Sequence, residues 1–156
     1  MSIGGYFDPR AVNLRLQSNT KDDVLRELVN LIPELKGRAA EHLSLWQALA
    51  DRERLHSTGV GEGLAFPHAR NAMGNLLKKP VIVIGRHETG VDWGAADAKP
   101  AQLLFMLAAP SLTEHLHLLG QMSRILRHPK IREDLMRCAT PEEAIEILKS
   151  GESGLR

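Results

Sequence analysis

Apolar residues along the chain follow two periods. Alternation in Ala11–Val12–Asn13–Leu14–Arg15–Leu16 predicts a half-buried strand. Val24, Leu25, Leu28, Val29 and Ile32 then recur at helical spacing, with Thr20 as N-cap, Asp22 and Asp23 in the first turn, and Pro33 and Gly37 as the stop. A second helix is predicted from about Ala39 to Arg52, with Leu43, Trp46, Ala48 and Leu49 facing inward. Val81–Ile82–Val83–Ile84–Gly85 and Leu103–Leu104–Phe105–Met106–Leu107–Ala108 are continuous aliphatic runs, the pattern of strands buried on both faces. A short strand is expected near Val91–Trp93. The last third reads as helical: Thr113 caps a helix to about Arg127, Pro129 opens a shorter one to about Arg137, and Thr140–Pro141–Glu142–Glu143 is a capping box opening the last. Strands interleaved with helices, then helices alone, predict a single-domain α/β sandwich with a mixed β-sheet flanked by helices.

Composition narrows the function classes. At 156 residues one domain is expected, and SGESGLR at the end reads as a short frayed tail over residues 150–156. The net charge of +1 lacks the basic excess of a dedicated nucleic-acid domain, so no nucleic-acid partner is expected. No apolar run approaches the ~20 residues that span a bilayer, and MSIGGYFDPR lacks the basic and apolar regions of a leader, so a cytoplasmic protein without membrane insertion is expected. A lone cysteine, Cys138, excludes an intrachain disulfide and a multi-cysteine zinc site, and reads as an inert packed thiol. Seven histidines invite a metal reading, but there is no HExxH, and His42, His56, His87 and His128 read as surface or partly buried residues; no metal or cofactor is expected. Arg124, Arg127, Lys130, Arg132 and Arg137, interrupted by Glu133 and Asp134, read as a solvated helical face.

The segment from Ser57 to Ala69 carries the candidate chemistry. Gly59, Gly61 and Gly63 permit positive φ or close backbone approach, and N–H groups exposed in such a turn can form an anion-binding nest. Pro67 fixes the chain direction just before His68 and holds Phe66 extended. The segment is neither a Walker A loop nor a dinucleotide fingerprint. The residues alone leave two readings open: a histidine at a strand end placed for nucleophilic use, or a glycine-rich hairpin with an incidental one. On the helix after Thr113, His115 shares the sector of Leu118, Met122 and Ile125, whereas His117 falls on the polar face with Gln121 and Arg124.

The run Glu53-x6-Val60-Gly61-x2-Leu64-Ala65-Phe66-Pro67-His68-Ala69 resembles the phosphorylation-site signature of phosphotransferase-system enzyme IIA domains of the fructose/mannitol class, most closely the nitrogen-regulatory enzyme IIA. The likeness takes in Arg52–Glu53, Gly90–Val91–Asp92, Ala109–Pro110 and the His-Leu-x-x-Leu helix from His115, and covers residues 6–149. One departure is Phe66, where the family usually carries an aliphatic residue; it alters the packing behind His68 without removing the chemistry. The resemblance implies a phosphotransferase intermediate in which His68 accepts a phosphoryl group from a small phosphohistidine carrier protein (HPr-like or its nitrogen-system equivalent). It implies that His115 is the second active-site imidazole and Arg52 the nearby electrostatic stabiliser. Two roles follow within the family: a regulatory domain acting on protein targets, and a transport subunit passing phosphate to enzyme IIB. A third reading is a degenerate, non-phosphorylated binding module.

Overall fold

The computed structural model describes residues 2–154. Its centre is a five-stranded mixed sheet in the order β1-β4-β5-β3-β2, with β1 Val12–Asn13, β2 Gly59–Gly61, β3 Leu64–Ala65, β4 Val81–Val91 and β5 Ala101–Ala108. β4 and β5 pair antiparallel, and β1 and β3 run parallel to β4 and β5 respectively. Among the described residues five α-helices complete it: α1 Lys21–Val29, α2 Ala39–Leu55, α3 Leu112–Leu126, α4 Pro129–Arg137 and α5 Pro141–Ser153.

The period of two in the strands divides the core. Val81 and Val83 of β4 and Leu104 and Met106 of β5 join the cluster containing α1 and α2. Ile82, Ile84, Leu103, Phe105 and Leu107 join the cluster containing α3 and α5. Helices therefore cover both faces, which is why both aliphatic runs lack polar alternation.

Several predicted boundaries differ. Of the strand expected over Ala11–Leu16 only Val12 and Asn13 pair regularly with β4; the Asn13 side chain then accepts the Arg15 N–H at 2.8 Å, interrupting the ladder, and Leu16 returns to it through its N–H on the Arg86 carbonyl at 3.0 Å. Ser111, not Thr113, caps α3: its Oγ accepts the Glu114 N–H and donates to the Glu114 carboxylate at 2.7 Å. Leu43 is 47 % exposed, since the buried stripe of α2 runs through Leu45, Leu49 and Glu53 instead. β4 continues to Val91 through an irregularity at which Gly90 takes φ +92°, and this absorbs the separate strand expected at Val91–Trp93. The C-terminal stretch is not frayed up to Ser153: α5 includes it, and buried Glu152 accepts from Ser2 Oγ and from the Ile3 N–H, both at 2.8 Å. Leu155 and Arg156 of the predicted tail lie outside the described residues.

Candidate functional site

The position of His68 follows from the strand before it. Leu64 and Phe66 face the α3 side of the sheet, and His68 has the same parity. The chain stays extended past β3: Leu107 donates its N–H to the Pro67 carbonyl at 2.9 Å, and His68 forms an isolated parallel bridge with Leu107. His68 thus stands at the carboxyl end of β3, beside the carboxyl end of β5. In α/β sheets ligands collect outside such ends.

β5 then supplies the second imidazole. The chain turns at Ala109–Pro110, Ser111 caps α3, and His115 lies in the opening of that helix, its N–H bonded to the Ser111 carbonyl at 3.0 Å. The His68 and His115 rings stand 5.0 Å apart between centroids, inclined at 45°. The helical-wheel choice of His115 over His117 agrees with this placement.

His68 has a defined tautomer. Its Nδ1 lies 2.7 Å from the Phe66 carbonyl oxygen, which only accepts, so Nδ1 carries the proton. In the neutral ring the lone pair is then on Nε2. Burial lowers the His68 pKa below the ordinary 6.5; the Phe66 bond opposes this, the Arg52 charge adds to it, and the Glu53 charge opposes it. Burial also lowers the His115 pKa, and the His68 charge lowers it further. Both rings are consequently neutral near pH 7, the state in which imidazole is a nucleophile.

Arg52 lies in the last turn of α2, half-buried, with Nη1 donating to the His56 carbonyl at 2.5 Å. Its charge reaches His68. The three predicted residues, from α2, the segment after β3 and α3, therefore act on one locality.

The glycine turn does not contribute to it. Gly61 and Gly63 take φ +87° and +76°, and with Glu62 they make the tight β2–β3 turn. That turn precedes β3 whereas His68 follows it, about 16 Å away along an extended chain. The Glu62 N–H is held by Asp97 at 2.9 Å. The predicted anion nest is thus a hairpin turn whose donor already has a carboxylate.

Sequence reasoning assigned no role to Glu53, Thr58 or Trp93. Glu53 is 8 % exposed and Trp93 fully buried. Glu53 accepts from Lys21 Nζ at 3.0 Å, the Thr58 N–H at 3.2 Å, Trp93 Nε1 at 3.2 Å and the Thr58 hydroxyl. Two signals were available for Glu53: it opens the signature that contains His68, and the spacing Leu45, Leu49, Glu53 puts a carboxylate on an otherwise apolar stripe.

Elsewhere the chemistry is quiet. Cys138 is buried, its pKa raised by burial, and its thiol donates to the Leu135 carbonyl at 3.3 Å. His87, expected at or near the surface, is buried, with Asn19 on Nε2 and the Gly90 N–H on Nδ1. Phe66 is 4 % exposed and packs on Phe105 with ring centroids 5.9 Å apart. Among the described residues no helix is long and apolar enough to cross a membrane.

Residues 5–151 match the family model for the phosphoenolpyruvate-dependent sugar phosphotransferase system, EIIA 2. The fructose-specific EIIABC component of Bacillus subtilis is 32 % identical over 150 residues, 95 % of this chain but only 23 % of that protein. A nitrogen regulatory protein of Pseudomonas aeruginosa is 31 % identical over 90 % of both chains. The crystal structure of nitrogen regulatory protein IIA-Ntr from Neisseria meningitidis superposes with a TM-score of 0.82 at 31 % identity, covering 94 % of this chain and 98 % of that one.

Proposed function

Because the chain belongs to the EIIA type 2 family of the phosphotransferase system, we propose that it carries its phosphoryl group on Nε2 of His68. One observation carries this reading: the Nδ1–H bond to the Phe66 carbonyl leaves the Nε2 lone pair free, with a second neutral imidazole 5.0 Å away. The donor is a phosphohistidine on a small HPr-like carrier or its nitrogen-system equivalent. The Nε2 lone pair forms the new N–P bond as the donor N–P bond breaks, and that electron pair stays on the donor imidazole. The product His68 ring is cationic, and its Nδ1–H remains on the Phe66 carbonyl. His115 donates to a phosphoryl oxygen, and Arg52 stabilises the charge spread over the transferring group. Donor and acceptor are both imidazole nitrogens, so the reaction needs no metal.

The proposed role is regulatory and cytoplasmic: the phosphorylation state of His68 controls a protein target. The nitrogen regulatory relative and the IIA-Ntr structure support this. The fructose-specific relative favours a second reading, transfer onward to an enzyme IIB. Incubation with phosphoenolpyruvate, enzyme I and each candidate carrier, followed by intact-mass measurement, tests the assignment. The wild type should gain one acid-labile phosphoryl group and a folded His68→Ala variant none; full labelling of that variant would exclude His68. Discharge onto an enzyme IIB with sugar phosphorylation would favour transport over regulation.

A further inference from the structure

The feature that phosphoryl transfer leaves unexplained is a buried carboxylate directly after Arg52. Glu53 sits on the inward stripe of α2, where an apolar residue would otherwise complete the core. It is held by four donors. Lys21 of α1 reaches one oxygen, with its ammonium also 5.4 Å from the centre of the Trp93 ring. The Thr58 N–H reaches that same oxygen, while the Thr58 hydroxyl and Trp93 Nε1 reach the other. Trp93 Nε1 also donates to Thr58 Oγ at 3.0 Å, and Ser57 Oγ donates to the Trp93 carbonyl at 2.5 Å. Two of the three residues that link α2 to β2, Ser57 and Thr58, are thereby fixed from within.

Thr58 is also the first step towards the imidazole. Its carbonyl accepts the Phe66 N–H at 3.1 Å, and the Phe66 carbonyl accepts Nδ1–H of His68 at 2.7 Å. An unbroken path thus runs from the Glu53 carboxylate through Thr58 and Phe66 to the ring. Arg52, the neighbour of Glu53, leaves the same last turn of α2.

We propose that Glu53 is a positioning residue for phosphoryl transfer, its carboxylate holding Thr58 so that Phe66 presents the His68 imidazole and the end of α2 presents Arg52. This rests on His68 being the phosphorylated residue. A stabilising core needs no carboxylate here; an aliphatic side chain would fill the stripe without desolvating a charge. Displacing a reacting group by ~1 Å can cost about 10²-fold in rate. Glu53 also acts through its charge. The charged and titratable groups acting on His68 are Arg52 and Glu53 of α2 and His115 of α3, and the Glu53 anion opposes the Arg52 cation in setting the proton affinity of the ring.

Glu53→Gln retains an acceptor oxygen and removes the anion. Two measurements apply: the rate of transfer from the phosphorylated carrier between pH 5.5 and 8.5, and an NMR titration of the His68 ring nitrogens in the unphosphorylated protein. The expected result is transfer slowed roughly ten- to hundred-fold, with the His68 titration midpoint and the acid limb of the rate profile both moved to lower pH. Transfer and titration both at wild-type values, with only a lower melting temperature, would overturn the proposal. Should Glu53→Gln fail to fold, Thr58→Val carries the test: it removes the hydroxyl alone and leaves Lys21 on the carboxylate. Slower transfer in folded Thr58→Val supports the proposal, and an unchanged rate overturns it. The titration needs no phosphoryl group, so it stands apart from the labelling of His68→Ala that decides the phosphosite.

Discussion

Replacing Arg52 by alanine changes three quantities, and the structure gives each a sign. In the transition state a guanidinium beside the phosphoryl group is lost; removing one preorganised donor of this kind costs about 2.7 kcal/mol or more, a rate loss of ~10²-fold. In the folded state the variant loses the Nη1 bond to the His56 carbonyl at the end of α2. That bond is exposed, so its loss costs about 0.5 kcal/mol, a fall of roughly 1–2 °C in melting temperature for a chain this size. In the acid–base behaviour of the site, the Arg52 cation lowers the His68 pKa while Glu53 raises it. Without Arg52 the ring protonates at higher pH, so the acid limb of the rate profile moves upward and the defect is larger at pH 6 than at pH 8. Arg52→Lys retains the charge but not the planar fork; its acid limb should stay in place while its rate recovers in part. The assay is rapid-quench transfer from the phosphorylated carrier, read by intact mass. A slowing of under two-fold at every pH, with the acid limb unmoved, would show that Arg52 does no more than tie off its helix.

Three further outcomes are expected. His115→Ala should slow transfer about 10²-fold whereas His117→Ala stays near wild type, and stopped-time labelling of both variants checks the assignment. The His68 and His115 pKa values are both lowered from 6.5, so the unfolded chain binds protons more readily; stability should be fully present above that value and decline as pH falls towards the folded-state values. Melting curves between pH 7.5 and 5.5 should show this decline, and the double variant His68→Ala/His115→Ala should lose most of it. Glu152→Ala strands the Ile3 N–H, whose residue is fully buried; the cost is about 2 kcal/mol, a melting temperature lower by roughly 4–8 °C, measurable by calorimetry and accompanied by an unchanged transfer rate.

The sequence disclosed those parts of the molecule whose causes are local. β4, β5 and the cap of α5 follow from aliphatic runs and from Thr140, signals confined to a few neighbouring residues. His68 and His115 were legible through the family resemblance, and the structure sets their rings 5.0 Å apart, a proximity that the wheel, which only separates His115 from His117, does not contain. What stayed hidden depends on partners distant along the chain. Trp93 meets Glu53 across 40 positions, and Glu152 meets Ile3 across 149, so no window of sequence contains either pair. The glycine turn misled for a related reason: the backbone freedom was real, but Asp97, 35 residues from Glu62, decides which group the turn receives. Leu43 misled because the wheel of α2 contains a charged member, Glu53, that a purely apolar count discards.

The clasp between Ser2, Ile3 and Glu152 has a consequence for how such a unit joins other polypeptides. Its first and last described turns touch, so residues 2 and 152 are neighbours. A host protein could receive the unit within one of its loops without stretching either strand of the junction. By the same geometry, a short linker between residues 154 and 2 would close the chain into a ring, which could be reopened at an exposed turn to give a permuted protein with the same layers.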